Sequence, residues 1–244
     1  MESVAEKKEI IEKLQKDILS LQGFREPSTA PVKVGLGALE AAFPGQVFPT
    51  GAIHEFISSA RENAAATGGF ISALLSRLMQ QPGPCLWIST RRMVFPPALK
   101  AFGIDPGRII FIDVKREKDL LWTIEEALKC QALSAVVGEL GALDFTQSRR
   151  LQLAVEQSRV TGLMHCYNPS KVTTTTSVAR WQIMPLSSIL QAGMPGVGHP
   201  LWQINLLRVR NGKPGSWQLQ WTAGTFQYID QATQQAKAGM QKTA

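Results

Sequence analysis

Between residues 52 and 167, short runs of β-branched and apolar residues alternate with stretches of helical periodicity, and this alternation constrains the chain more than any other feature. The segments fall at 52–57, 73–79, 85–89, 108–114, 122–130, 135–137, 148–158 and 162–167. Strands that alternate with helices imply crossover units, which set the strands mostly parallel and cover both faces of the sheet. The fold class is therefore α/β. After 167 the rhythm changes, with 178–183, 202–210 and 216–221 reading as strands without helices between them. The last two flank Asn211-Gly212-Lys213-Pro214-Gly215, so a C-terminal antiparallel hairpin is expected.

The two ends of the chain read differently from this core. Val4, Ile11, Leu14, Ile18 and Leu21 recur at helical spacings among Glu and Lys, the pattern of an amphipathic helix over 1–24. A connector over 25–34 carries Pro27 and Pro31, which stop a helix. The helix is thus detached in sequence from a core domain over 35–230. Its apolar stripe either packs back on that domain or docks on another protein. The stretch 231–244 is polar and small, and is expected to be a disordered tail.

Composition narrows the function classes. With 44% hydrophobic and 18% charged residues the chain suits one sizeable core, and a net charge of +7 suits an anionic partner such as DNA. Cys85, Cys130 and Cys166 are too scattered for a disulfide framework, and His54, His165 and His199 show no ligand spacing, so no metal site is expected. No run reaches the length of a membrane span, and the N-terminal stretch is charged where a signal peptide needs an apolar run. A cytoplasmic protein, nucleoid-associated when acting, is the expectation. No G-x-S-x-G elbow supports a serine hydrolase.

Two segments carry a resemblance. Leu36-Gly37-Ala38-Leu39-Glu40 and Phe48-Pro49-Thr50-Gly51-Ala52-Ile53-His54-Glu55-Phe56 are similar to the turn and segment that lead into the first core strand and phosphate loop of the RecA family. The order of later elements extends the likeness over about 35–225 in that superfamily's α/β core. A short core of this kind, a detached N-terminal helix, and Leu206-Leu207-Arg208-Val209-Arg210-Asn211-Gly212 followed by Trp217-Gln218-Leu219 resemble the ImuA family.

Measured against that resemblance, the nucleotide machinery is degenerate. A working phosphate loop follows G-x-x-x-x-G-K-[ST]: amides cradle phosphates, the lysine reaches the terminal ones, and the hydroxyl holds magnesium. Here Ser58-Ser59-Ala60-Arg61 leads through 62–66 to Thr67-Gly68-Gly69-Phe70, with Gly69 in the lysine position and Phe70 in the hydroxyl position. A missing charged hydrogen bond of that kind forfeits about 1.5–3 kcal/mol. Arg61 is the one candidate substitute, although the alignment sets it well ahead of the helix start. After 85–89 the chain continues Thr90-Arg91-Arg92 where the family carries an acidic residue. At the metal-holding strand Gly138 stands in the aspartate position and Glu139 follows one residue late, which on a strand is the opposite face unless the strand ends early. ATP hydrolysis is not expected and no cofactor is assigned, with room left for weak nucleotide binding by backbone amides.

Lys171-Val172-Thr173-Thr174-Thr175-Thr176-Ser177 occupies the place of a DNA-contacting loop in the RecA family, and reads equally as a plain connection. Arg208 and Arg210 share one face of a strand, with Lys213 in the adjoining turn. Lys171, Arg208, Arg210 and Lys213 are the candidate DNA contacts, with Trp202 and Trp217 near them in sequence. The resemblance implies a non-catalytic accessory factor of damage-induced mutagenesis (translesion synthesis, SOS response). Such a factor docks on an ImuB-type Y-family-like polymerase partner, on RecA, or on both, and can self-associate through its N-terminal helix. Ile11, Leu14, Ile18 and Leu21 are the expected docking residues. Two alternatives stay open: a SulA-type division inhibitor, and a DNA-dependent ATPase with a rearranged loop.

Overall fold

The computed structural model describes residues 13–14, 34–188 and 198–229. The strands are β1 (Ile53–Ser58), β2 (Cys85–Ser89), β3 (Ile109–Asp113), β4 (Ala135–Leu140), β5 (Thr161–Tyr167), β6 (Ala179–Leu186), β7 (Leu201–Val209), β8 (Gly215–Thr222) and β9 (Thr225–Tyr228). They form one sheet in the order β3-β2-β4-β5-β1-β6-β7-β8-β9. From β3 to β6 every pairing is parallel; β7, β8 and β9 add on antiparallel. The α/β class, the largely parallel core and the closing hairpin all match expectation, and the architecture is consistent with a RecA-like core. Strand β9 was not foreseen. It follows β8 through Ala223-Gly224, both with positive φ, a two-residue turn without the usual Asn or Asp.

Helices α1 (Arg61–Leu78), α2 (Glu117–Leu128) and α3 (Phe145–Ser158) cover the sheet. Because side chains alternate along a strand, Ile53 and Phe56 of β1 serve opposite faces. On one face Ile53, Ile88, Val136 and Met164 pack against Leu120 and Ile124 of α2 and Leu151 and Val155 of α3. On the other, Phe70 of α1 meets the rings of Phe56, Trp181, Trp202 and Phe226, with centroids 5.5 to 6.3 Å away. A capping box starts α3: the Asp144 carboxylate accepts from the Gln147 amide, and the Gln147 side chain accepts from the Asp144 amide.

The chain divides into two units, Met1–Pro31 and Val32–Ala244. Within the first, Lys13 and Leu14 are described; both are helical, and Leu14 is exposed. Ile11, Ile18 and Leu21, most of the expected connector, and the expected tail lie outside the described residues. Val34, assigned to the connector, is fully buried. Among the described residues no helix is long and apolar enough to cross a membrane.

Candidate functional site

The carboxyl ends of parallel strands are where an open α/β sheet binds ligands, so the junction after β1 is the first place to look. Strand β1 ends at Ser58 and α1 begins at Arg61, leaving Ser59 and Ala60 between them. The expected loop over 58–70 is therefore absent. Thr67, Gly68, Gly69 and Phe70 lie inside α1, and Arg61 is its first residue, not a loop residue ahead of it. The physical reason is local: Ala64-Ala65-Ala66 propagates helix strongly, and Phe70, directly after the glycine pair, is anchored in the buried aromatic cluster. Phe70 is buried in the aromatic cluster, and Gly69 lets Trp202 approach, since a Cβ there would stand 3.3 Å from its ring.

At the end of β1, buried side chains hydrogen-bond to one another. Ser58 Oγ shares hydrogen bonds with Thr67 Oγ1 (2.8 Å) and His165 Nε2 (2.9 Å), and all three residues are buried. Burial pushes the His165 imidazole down to about 4, so it is neutral near pH 7. A neutral imidazole between hydroxyls is a satisfied interior contact, and it offers no charge to an anion. The amides left at the junction are those of an ordinary helix N-terminus, without a surrounding glycine-rich loop.

The neighbouring strands carry the same reassignment. Strand β4 runs on to Leu140 and does not end early. Gly138 turns toward α2, and a Cβ there would lie 2.4 Å from Ile124 Cδ1. Glu139 faces the other way, buried, and accepts hydrogen bonds from Trp87 Nε1 (3.0 Å) and the Met93 amide (3.3 Å). Burial raises the Glu139 carboxyl above its usual range, an effect opposed by those two bonds and by Arg92. Beyond β2, Arg92 pairs with Asp113 at 2.5 Å and lies over the Phe111 ring at 4.6 Å.

The arginines assigned to DNA are turned inward. Arg208 donates to the carbonyls of Thr175 (2.6 Å) and Ser177 (2.7 Å), and Arg210 to that of Thr176. Arg180, which the sequence reading missed, donates to the Thr173 carbonyl, to Thr175 Oγ1 (3.2 Å) and to Glu55 Oε2 (3.0 Å). Three guanidinium groups thus clamp residues 173–177 through four backbone carbonyls. Burial lowers the pKa of Arg208 and Arg210, Arg180 adding to the effect on Arg208, so they are partly desolvated cations. The expected Arg208–Arg210 face is therefore a structural clamp on the threonine loop. Lys171 and Lys213 are exposed, Trp202 is buried, and Trp217 is half-buried over Gly215.

Glu55 and Arg180 did carry a sequence signal: each interrupts an apolar strand with a charge, and such charges are seldom buried unless paired. Elsewhere, a cleft of about 450 Å³ opens between the first turns of α2 and α3, lined by Asp119, Trp122, Leu140, Gln147 and Arg150 among others. Among the described residues no cluster of three His, Cys, Asp or Glu is placed to hold a metal.

No family model matches the chain. Two curated relatives do: Protein ImuA of Caulobacter vibrioides strain NA1000 / CB15N, and Protein ImuA of strain ATCC 19089 / CIP 103742 / CB 15. Each is 33% identical over 210 residues, covering 81% of this chain and 86% of the relative. A likeness of that depth across nearly the whole of both chains exceeds what a shared α/β architecture requires, and the chain belongs to the ImuA family.

Proposed function

We propose that the protein is a non-catalytic, RecA-like adaptor of DNA-damage-induced mutagenesis, docking on an ImuB-type polymerase-like partner, on RecA, or on both. The observation that supports this reading is the β1–α1 junction, where only Ser59 and Ala60 separate strand from helix and the buried Ser58, Thr67 and His165 hydrogen-bond to one another. A core that retains the RecA-like sheet without that loop offers surface rather than turnover. Membership of the ImuA family supplies the pathway.

ATP turnover by the purified protein, with and without single-stranded DNA and beside an active RecA control, tests the catalytic half. No turnover is expected; DNA-stimulated turnover that disappears on Arg61→Ala would overturn the reading. Partner binding tests the other half. Replacing Leu14 and Ile18 with Asp is expected to abolish co-purification with the ImuB-type partner or RecA while the core stays folded, and unchanged co-purification would reject the N-terminal helix as the docking element.

A further inference from the structure

The segment between β2 and β3 holds the most solvent-exposed large apolar side chain among the described residues, Phe95 at 68%, with a second exposed apolar side chain, Met93 at 44%, two residues before it. Neither makes a ring contact among the described residues, although aromatic side chains elsewhere in the core are gathered into clusters. Exposure of this kind on a slack loop would mean little. This segment is held at three points. The Met93 amide donates to the buried Glu139 carboxylate, Arg92 is fixed by Asp113 and Phe111, and Pro96-Pro97 stiffen the exit, where the Ala98 amide returns to the Phe95 carbonyl at 2.9 Å.

Burying a carboxylate is unfavourable unless it is hydrogen-bonded, and Glu139 spends one oxygen on the backbone of this segment and the other on Trp87. The fold thus holds Met93 and Phe95 out in water in one preset conformation, which lowers the ordering cost of binding. Charge specifies what they fit. Residues 90–102 include Arg91, Arg92 and Lys100 and no carboxylate; Arg92 is offset by Asp113, while Arg91 is exposed and has no ion pair or side-chain hydrogen bond among the described residues.

From this geometry we infer that the segment 91–95 is a preformed docking finger whose occupant site is an apolar cleft rimmed by carboxylates on a partner protein. Phe95 and Met93 enter the cleft and Arg91 meets its acidic rim. Aromatic anchors flanked by a cation are the residue types that carry most interface energy. A nucleic-acid occupant is less well matched, because one of the two adjacent arginines is already neutralised internally. The inference rests on the adaptor reading and specifies the surface it uses.

The test places a photo-crosslinking amino acid at position 95 in cells under DNA damage, with the same group at exposed Tyr228 as control, and identifies adducts by mass spectrometry. The expected result is one protein adduct specific to position 95. That protein, purified, should bind the wild-type chain at least tenfold more tightly than M93S/F95S, lose affinity to R91E, and bind W122S normally. Thermal midpoints of the variants should match wild type. Absence of a protein adduct, an adduct only with nucleic acid or with a second copy of the chain, or equal affinity for wild type and M93S/F95S would overturn the inference. If the adduct is neither ImuB-type nor RecA, the finger stands and the proposed pathway falls; if L14D/I18D abolishes partner binding and M93S/F95S does not, the reverse holds.

Discussion

Glu55 shows how one residue can organise several others. It sits on β1 opposite Arg180 of β6, almost out of reach of solvent, and accepts from both Arg180 and Thr175 Oγ1. Removing one member of a buried ion pair leaves the other charge uncompensated, so Glu55→Ala is expected to lower stability by about 3–5 kcal/mol in urea denaturation. A loss under 1 kcal/mol would mean that Arg180 is solvated through the loop. Gly138 makes the opposite point about space. Because a Cβ there meets Ile124 at once, Gly138→Ala is expected to cost about 1–3 kcal/mol by overpacking. At this scale the sequence was partly legible. It flagged Gly138 and Glu139 as departures from an aspartate, but nothing in a linear pattern shows that Glu139 would be bonded by the indole of Trp87 on the adjacent strand β2 and by the amide of Met93.

At the level of elements, α1 was misread and the threonine loop was left open between a DNA contact and a plain connection, and each has its own test. Gly68 lies in open space and Gly69 faces Trp202. If both are helical as described, Gly68→Ala should raise stability by about 0.5–1 kcal/mol, while Gly69→Ala should give no gain because its methyl crowds the indole. Equal responses at the two positions, read as thermal midpoints, would contradict the helix. The mistake was to take a glycine pair as the end of a phosphate loop, when alanine propensity before it and aromatic packing after it favour helix. For the loop, Arg208 is expected to act through structure: Arg208→Ala should speed hydrogen exchange of amides 173–177, whereas Lys171→Ala should leave them protected. Matching protection in both variants would remove the clamp from the account. Period-two spacing put Arg208 and Arg210 on one side, and both reach the loop, although β7 ends at Val209 and Arg210 lies just past it; what covers that side is a long-range fact that spacing does not contain.

For the whole molecule, the strand and helix rhythm was enough to recover the parallel core, since short β-branched and apolar runs alternate with longer segments of helical period. The antiparallel end was recovered less completely because β9 is four residues long and mostly solvent-facing. Global stability should carry the mark of two buried histidines. His54 is held neutral, with Nε2 hydrogen-bonded to the Pro49 carbonyl at 2.7 Å and Nδ1 accepting from Trp181 at 3.3 Å, and burial takes it from 6.5 to about 4, as it does His165. A histidine whose folded value is depressed binds its proton more readily when unfolded, so the stability it contributes is present above pH 6.5 and is lost as pH falls toward 4. The loss amounts to about 3 kcal/mol for each histidine across that window. Glu139, raised by burial, works in the opposite sense, its unfavourable charge being relieved as pH falls. Denaturation midpoints at pH 7, 5.5 and 4.5 should decline steeply, and His165→Gln should flatten the slope; a flat wild-type profile would show that the imidazoles reach water.

The continuity of β1 into α1 also bears on how this lineage can change. To rebuild a lysine and a hydroxyl at positions 69 and 70 by substitution would drive a long side chain into Trp202 and take an aromatic ring out of the cluster that joins α1 to β6, β7 and β9. Phe→Ala changes in such cores cost about 3–5 kcal/mol, a large share of what a domain this size has to lose. Even a chain that survived both changes would carry the new groups inside a helix rather than at its mouth. A phosphate loop at this junction would therefore need an insertion between Ser58 and Arg61, so that point substitution alone leaves the architecture closed to it.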